Sequence, residues 1–312
     1  MTAHYARPVD EHAVEREQET DRLVARLRAA GCVFAEDEAR ILVEAASAGG
    51  VLDDARLESL VAARVDGLPL EHLVGWAELD GRRWIVAPGV FVPRQRSELL
   101  VREATARAST LAVVGRPVLL VDLCCGCGAL GGAVAARLLA AGTDVEVHAA
   151  DVDPVAVVCA HENLEALATV SFAARAAGTA LPHAEAPGRL SAYTYAGDLA
   201  APLPGDVRGR VDVLVANAPY VPTDAIGMMP PEAREHEPHA ALDGGDDGLA
   251  ILRRVIALAP ALLRPGGHLL VETGEAQVSA AVGHLEAAGL VPTVLTDDDL
   301  GATALVGTAP RT

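Results

Sequence analysis

The chain has 312 residues, 51% of them hydrophobic and 22% charged, which predicts a soluble globular protein with a sizeable buried core. Its formal net charge is −18, all 25 basic residues are arginine and they form no basic run, which argues against a protein that grips duplex nucleic acid. No uninterrupted apolar stretch reaches membrane-spanning length, and the polar, acid-rich start argues against a secretory signal peptide.

The N-terminal part of the chain predicts helices. Apolar residues recur at helical spacing from residue 10 to residue 66, and Asp53 is a plausible N-cap for the third helix. Between residues 73 and 92 glycine and proline increase, and short extended runs predict a β-hairpin. The predicted division is a helical N-terminal domain at 1–70, a β-hairpin linker at 71–95 and a larger domain at 96–312.

Strands and helices alternate from residue 118 onward. Short apolar runs predict strands at 118–123, 145–152, 193–196, 211–216, 268–272, 292–295 and 302–306. Predicted helices lie at 129–141, from Pro154 after an Asp153 cap, at 249–263, where Pro265-Gly266-Gly267 ends the helix, and before Gly289. The alternation predicts an α/β fold with a doubly wound parallel sheet, interrupted by an Ala-rich surface insertion at about 169–189.

The loop after the first of these strands is predicted to bind a ligand. Small residues let the backbone approach a ligand closely, and the next helix offers free N–H groups at its start. Asp122 begins the loop, and Asp151 closes the next strand, where a carboxylate can accept both ribose hydroxyls of a nucleoside cofactor. A pyrophosphate would be repelled by Asp122, and the third glycine of the dinucleotide fingerprint is missing, whereas a cofactor with a sulfonium and an ammonium group would tolerate the charge.

Three of the five cysteines crowd this loop, at positions 124, 125 and 127. A metal or redox site is one interpretation. We favour cysteine as a small apolar residue, because no second Cys or His cluster stands at metal spacing. The odd number of cysteines without a repeated spacing is typical of a cytoplasmic protein with reduced thiols.

The fourth strand ends in a motif suited to holding an amide. Asn217, Ala218, Pro219 and Tyr220 follow it, at the edge where open α/β sheets bind ligands. Two acceptors aimed at the two hydrogens of an amide would orient its nitrogen, and the Asn217 side-chain oxygen and the Ala218 carbonyl are candidates. Pro219 stiffens the turn and Tyr220 offers a ring face. Catalysis would then depend on positioning and electrostatics, while an ordinary Asn-Pro turn is the alternative.

From about Pro69 to its C-terminus the chain resembles the HemK-type peptide-release-factor glutamine N5-methyltransferases. The resemblance is carried by the Pro93-Arg94 segment, the loop at 122–128, the Asn217 motif and the Asp-Gly-Gly segment that begins at Asp243. It implies a seven-stranded, doubly wound, Rossmann-like methyltransferase sheet with a small helical N-terminal domain. It also implies S-adenosyl-L-methionine as the cofactor, no metal, and a glutamine in the Gly-Gly-Gln loop of a cytoplasmic release factor as the substrate.

The resemblance also assigns site residues. The implied catalytic residues are Asn217, Ala218, Pro219 and Tyr220. The implied cofactor-binding residues are Pro93, Arg94, Asp122, Cys124, Cys125, Gly126, Cys127, Gly128, Asp151, Val152, Asp198, Leu199 and Asn217. The chain departs from the family pattern at Cys124, where the family has glycine, at Ala218, where it has proline, and in the segment 95–98.

Other functions remain open from the sequence. An adenine N6-methyltransferase acting on nucleic acid would present a similar amine to Asn217, but the acidic charge argues against it. Solubility alone also explains that charge. The substitutions at Cys124 and Ala218 leave open a non-catalytic paralogue that still binds S-adenosylmethionine. A small-molecule methyltransferase is a further alternative.

Overall fold

The computed structural model describes residues 11–176 and 188–311, and the chain divides into two compact units at Val74 and Gly75. The smaller unit contains α1 (Glu11–Ala29), α2 (Ala35–Ala45), β1 (Ser47–Ala48), β2 (Val51–Leu52), α3 (Asp54–Val65) and α4 (Leu70–Val74). Asp53 caps α3 as predicted, since its side chain accepts a hydrogen bond from Arg56 N at 3.0 Å. The division at 1–70, 71–95 and 96–312 stays a prediction.

The larger unit begins with the predicted hairpin and continues as alternating strands and helices. Its elements are β3 (Trp76–Leu79), β4 (Arg82–Ile85), α5 (Glu98–Leu111), β5 (Val118–Leu123), α6 (Ala129–Ala140), β6 (Val145–Asp151), α7 (Pro154–Ala176), β7 (Leu190–Ala196), β8 (Val211–Ala216), α8 (Pro231–His236), α9 (His239–Leu242), α10 (Ala250–Leu262), β9 (Leu263–Glu272), α11 (Val278–Ala287), β10 (Val291–Asp297) and β11 (Ala302–Thr308). The predicted strands and helices of the sheet region are all present, whereas α5 was not predicted.

Seven of these strands form one sheet in the order β10-β11-β9-β8-β5-β6-β7. β11 runs antiparallel to both β9 and β10, and the other neighbours are parallel. Helices α5, α6 and α7 pack their buried side chains against one face of the sheet. Helices α10 and α11 pack against the other face. The strand order reverses between β5 and β8, so the carboxyl ends of these two strands flank the crevice where such sheets bind ligands. The predicted doubly wound α/β sheet is confirmed.

Helix α10 ends at Leu262, within one residue of its predicted end, but Pro265-Gly266-Gly267 is not what ends it. These residues lie within β9, which starts at Leu263 and pairs with β8 across a register shift between Val211 and Val213. A Cβ at Gly267 would lie 2.7 Å from the Val211 carbonyl oxygen. Glycine therefore permits a bulge here, where the sequence pattern indicated a turn.

Helix α7 is longer and more apolar than predicted. It runs to Ala176, so the first part of the predicted insertion at 169–189 is helical, and residues 177–187 lie outside the described residues. The segment Pro154–Ala173 is long and apolar enough to cross a membrane by length and composition. The helix packs Cys159 and Leu164 into the core beneath the sheet, as a core helix does.

Candidate active site

A cavity of about 430 Å³ lies at the carboxyl ends of the strands that flank the crevice. The predicted cofactor residues that line it are Pro93, Asp122, Cys124, Cys125, Gly126, Cys127, Asp151, Val152, Asp198, Leu199 and Asn217. Pro219 also lines it, together with Phe91, Ser97 and Arg254, to which the sequence assigned no role. We call this space the donor cavity.

The loop between β5 and α6 turns through three left-handed residues. Cys124, Gly126 and Gly128 have φ of 56°, 53° and 76°. Gly128 packs against Ala160 without lining the donor cavity, and a Cβ at residue 128 would lie 3.0 Å from the Ala160 Cβ. The loop is shaped for close backbone approach, but Cys124 is strained, since left-handed backbone disfavours a side chain.

We expect Cys124→Gly to raise the free energy of unfolding by about 1 kcal/mol, because glycine adopts the left-handed conformation without the Cβ clash. Urea denaturation measures the change. Cys124→Ala is the matched control, since it removes the thiol and keeps the strained backbone. Equal stability of the two variants would show that strain is not the cause.

Asp122 lines the donor cavity and its carboxylate is fully buried. Its Oδ2 accepts a hydrogen bond from Gly131 N at 2.8 Å, while its Oδ1 has no hydrogen-bond partner among residues 11–176 and 188–311. Burial, reinforced by the nearby charge of Asp151, raises the pKa of Asp122 to about 7, although the Gly131 hydrogen bond opposes this shift. A cationic group placed against Oδ1 would satisfy this carboxylate.

A cationic cofactor should therefore bind more tightly as pH rises through 7. In its predicted role, the ionised form of Asp122 binds the cation, and with a pKa of about 7 the ionised fraction rises about tenfold from pH 6 to pH 8. We expect the Kd measured by calorimetry to be about tenfold larger at pH 6 than at pH 8. Asp122→Asn should remove most of this dependence. An unchanged pH profile in that variant would assign the titration to Asp151, whose pKa burial also raises.

Asp151 and Asp198 line the donor cavity at the ends of β6 and β7. Asp151 Oδ2 accepts from Gly126 N at 2.8 Å and Oδ1 from Asp153 N at 2.9 Å, so backbone N–H groups orient this carboxylate. Asp198 pairs with Arg254 Nη2 at 2.5 Å, and both side chains are at least half exposed. Backbone hydrogen bonds therefore orient Asp151 for a ligand. Asp198 is instead paired with Arg254, a residue to which the sequence assigned no role.

The loop cysteines are protonated side chains in the core. Burial raises the pKa of Cys124 and Cys125 well above the usual range of a thiol, and that of Cys127 to about 12. No cluster of His, Cys, Asp or Glu suited to a metal ion occurs within residues 11–176 and 188–311. Thiolate chemistry at neutral pH is therefore disfavoured here.

A second cavity of about 380 Å³ adjoins the donor cavity. Phe91, Asn217, Pro219 and Ala241 line both spaces. The second cavity, which we call the acceptor cavity, is also lined by the other two predicted catalytic residues, Ala218 and Tyr220, and by the predicted cofactor residue Arg94. The reactive motif thus forms the wall between two spaces, as its position after β8 predicts.

Arg94 faces the acceptor cavity and does not line the donor cavity. Its guanidinium pairs with Glu237 and lies 5.2 Å from the centre of the Phe91 ring. The Tyr220 ring is likewise turned from the donor cavity, and its hydroxyl contacts Arg96 and Glu272. The assignment of Arg94 to the cofactor stays a prediction, and its contacts favour a role toward the acceptor.

A hydrogen-bonded chain runs behind Asn217. Asn217 Nδ2 donates to Ser97 Oγ at 3.3 Å, and Ser97 Oγ donates to Glu272 Oε2 at 2.7 Å. Glu272 Oε1 accepts from the Tyr220 hydroxyl at 3.0 Å and from Arg96 Nε at 2.6 Å. Ser97 and Glu272 are buried, and the sequence assigned neither of them a role.

The reactive turn is braced by the segment that follows it. Gln277 Nε2 donates to the Tyr220 carbonyl at 2.9 Å, and Gly244 N donates to the Val221 carbonyl at 2.8 Å. Gly248 has φ of 71°, and a Cβ there would overlap the Tyr220 carbonyl oxygen and Gln277 Nε2. The Asp-Gly-Gly segment thus packs against the residues that follow Asn217 and supports the turn.

The donor cavity fits the cofactor that the resemblance implies. Its volume suits a nucleoside-sized ligand, the orphaned Oδ1 of Asp122 suits a cationic group, and the oriented carboxylate of Asp151 suits ribose hydroxyls. Asn217 and Ala218, the predicted acceptors for an amide, line the adjoining cavity. Methyl transfer requires a cavity for a cationic nucleoside beside polar groups that hold the acceptor. The chain is an S-adenosylmethionine-dependent methyltransferase.

Comparison with known proteins identifies the family. The chain is 34% identical over 253 residues to the release factor glutamine methyltransferase of Geobacter sulfurreducens, covering 81% of this chain and 77% of that protein. It is also 34% identical over 299 residues to the release factor glutamine methyltransferase of Cereibacter sphaeroides, covering 91% and 94%. The chain belongs to the family of release factor glutamine methyltransferases. No family model matches it.

The name of a third relative gives a different methyl acceptor. The chain is 33% identical over 230 residues to the 4-amino-L-phenylalanine/4-methylamino-L-phenylalanine methyltransferase of Streptomyces pristinaespiralis, covering 73% of this chain and 69% of that protein. The family resemblance, the fold and the cofactor predicted from the sequence are confirmed. The roles of the individual site residues stay predictions.

Proposed function

We propose that this chain transfers a methyl group from S-adenosylmethionine to the side-chain nitrogen (N5) of a protein glutamine. The substrate is a peptide chain release factor, methylated in its Gly-Gly-Gln loop. The observation that carries the proposal is the position of Asn217, whose side chain lies in the wall between the donor and acceptor cavities. The names of the two release factor methyltransferases support the choice of acceptor.

The chain's own residues provide positioning and charge. S-adenosylmethionine supplies an electrophilic methyl group on its sulfonium when bound. Asp122 faces its cationic part and Asp151 its ribose, while Asn217 Oδ1 and the Ala218 carbonyl accept the two N–H groups of the glutamine amide. These acceptors raise the electron density on a nitrogen that is otherwise a poor nucleophile, so no strong base is needed. As the nitrogen takes the methyl group, the carbon–sulfur bond of the donor would break and the amide would release one N–H proton to water.

The partner and the location are part of the proposal. The protein partner is the release factor, without direct contact to nucleic acid or membrane, and the enzyme acts in the cytoplasm. A net charge of −18 supports a protein partner over a phosphate backbone. In this proposal residues 1–70 form a helical domain, residues 71–95 a hairpin linker and residues 96–312 the catalytic domain.

Incubation with isotope-labelled S-adenosylmethionine and purified release factor, followed by mass mapping, tests the proposal. We expect one methyl group on the glutamine of the Gly-Gly-Gln loop, and none on a release factor whose glutamine is replaced by glutamate. Transfer to an adenine-containing nucleic acid would identify the adenine enzyme instead. Transfer to free 4-amino-L-phenylalanine would place this chain with its third relative, and cofactor binding without any transfer would identify a non-catalytic paralogue.

A further inference from the structure

The orientation of the Asn217 carboxamide decides whether it can clamp a glutamine. Only its oxygen can accept the substrate N–H, so a carboxamide turned by 180° would present two further donors to the substrate. The oxygen and nitrogen ends of a carboxamide are nearly equal in size, and only hydrogen bonds tell them apart. The chain behind Asn217 is therefore the feature that sets its direction.

That chain ends in a group that only accepts. Glu272, buried and paired with the Arg96 guanidinium at 2.6 Å, is a carboxylate, and an ionised carboxylate has no proton to donate. Ser97 Oγ lies 2.7 Å from Glu272 Oε2, so the single hydroxyl proton of Ser97 points to Glu272. The Ser97 oxygen can then only accept from Asn217, which makes the nearer atom of the carboxamide its NH2 nitrogen.

The rest of the network supplies Glu272 with hydrogen-bond donors. The Tyr220 hydroxyl donates to Glu272 Oε1 at 3.0 Å, and Arg96 Nε contacts the same oxygen. Both oxygens of the Glu272 carboxylate therefore accept hydrogen bonds, Oε2 from Ser97 and Oε1 from Tyr220 and Arg96. Asn217 Oδ1 has no hydrogen-bond partner within residues 11–176 and 188–311, so it is available to a ligand.

We propose that Ser97 and Glu272 are positioning residues that lock the Asn217 carboxamide with its oxygen toward the acceptor. The inference rests on the proposed function, because it explains how Asn217 is prepared for an amide substrate. Neither residue touches the reacting atoms. Both act through Asn217, and the direction of the chain comes from the negative charge of Glu272.

The orientation can be measured without any substrate. In the ¹⁵N-labelled protein, Asn217→Asp identifies the side-chain NH2 signals of Asn217 by their disappearance. We expect one Nδ2 proton to be downfield-shifted and slow to exchange, because it is bonded to Ser97. This signature should be lost in Ser97→Ala and recovered in Ser97→Thr, which keeps a hydroxyl. Ser109→Ala, which alters an exposed serine in α5, the helix that Ser97 precedes, is the matched control and should leave the signature unchanged.

Kinetics then test the consequence. We expect Ser97→Ala and Glu272→Gln to lower kcat about tenfold, the equivalent of one hydrogen bond. Glu272 does not line the donor cavity, so Glu272→Gln should also leave the Kd of S-adenosylmethionine unchanged. Glu272→Gln keeps the contacts but allows the chain to reverse, so its loss of activity reports direction. Ser97→Thr should restore kcat to within about threefold of the wild type.

Each outcome decides the inference separately from the proposed function. An Asn217 signal that does not respond to Ser97→Ala would overturn the orientation mechanism, as would a kcat in Ser97→Ala within twofold of the wild type. If the wild-type protein methylates no glutamine, the proposed function fails, and the NMR response alone decides whether Ser97 and Glu272 orient Asn217.

Discussion

Replacement of Asn217 by alanine should nearly abolish methyl transfer and leave cofactor binding largely intact. In the proposed mechanism the side chain provides one of two acceptors for the glutamine amide, and loss of such a preorganised group costs about 10²–10³-fold in kcat. The cofactor keeps the carboxylates of Asp122 and Asp151 and the loop at 124–128, which line the donor cavity. Transfer is measured with labelled cofactor, and binding is measured by calorimetry.

Asn217→Asp is the informative companion to this variant. It keeps an acceptor oxygen but cannot donate to Ser97, and it adds a charge beside Glu272. We expect it to be as inactive as the alanine variant. Full activity in Asn217→Ala would remove this residue from the mechanism, and loss of cofactor binding in the same variant would reassign it to the donor cavity.

Gly248→Ala should both destabilise the protein and inactivate it. The residue has φ of 71°, and its added Cβ would overlap the Tyr220 carbonyl oxygen and the Gln277 amide. Strain and overpacking each cost about 1–3 kcal/mol, so we expect the free energy of unfolding to fall by about 3 kcal/mol. The same overlap displaces the turn that carries Asn217, and we expect kcat to fall more than tenfold.

The matched control for this prediction is Gly283→Ala. Gly283 lies in α11, and nothing stands within 4 Å of a Cβ at that position. Alanine there should stabilise the protein by about 0.5–1 kcal/mol, because it lowers the entropy of the unfolded chain. Urea denaturation compares the two variants, and equal effects would rule out the overlap at Tyr220.

The central strands could be predicted from the sequence almost residue by residue. β5 and β8 are buried along their whole length, and such strands appear as continuous apolar runs. The cofactor loop was equally visible, because small residues stand between a strand and a helix and acidic residues mark both strand ends. Helix α5 was missed although its buried residues Val101, Ala104, Ala108 and Leu111 stand at helical spacing, because two of the four are alanines, whose small side chains give a weak apolar pattern.

The network behind Asn217 could not be predicted in the same way. Ser97 and Glu272 are 175 positions apart in the chain, and only the folded sheet brings them together. The pairing of Arg254 with Asp198 has the same origin, because one lies on α10 and the other follows β7. Local patterns report periodicity and turns, whereas contacts between distant elements depend on packing, which a single sequence does not display.

The wall that separates the donor and acceptor cavities links the two binding equilibria. Because Phe91, Asn217, Pro219 and Ala241 face both spaces, a ligand on one side changes the environment of the other. Under the proposed function, thermodynamic linkage requires reciprocity, so any factor by which the release factor changes the affinity for S-adenosylmethionine equals the factor in the opposite direction. The protein substrate itself would thereby act as an effector of cofactor occupancy.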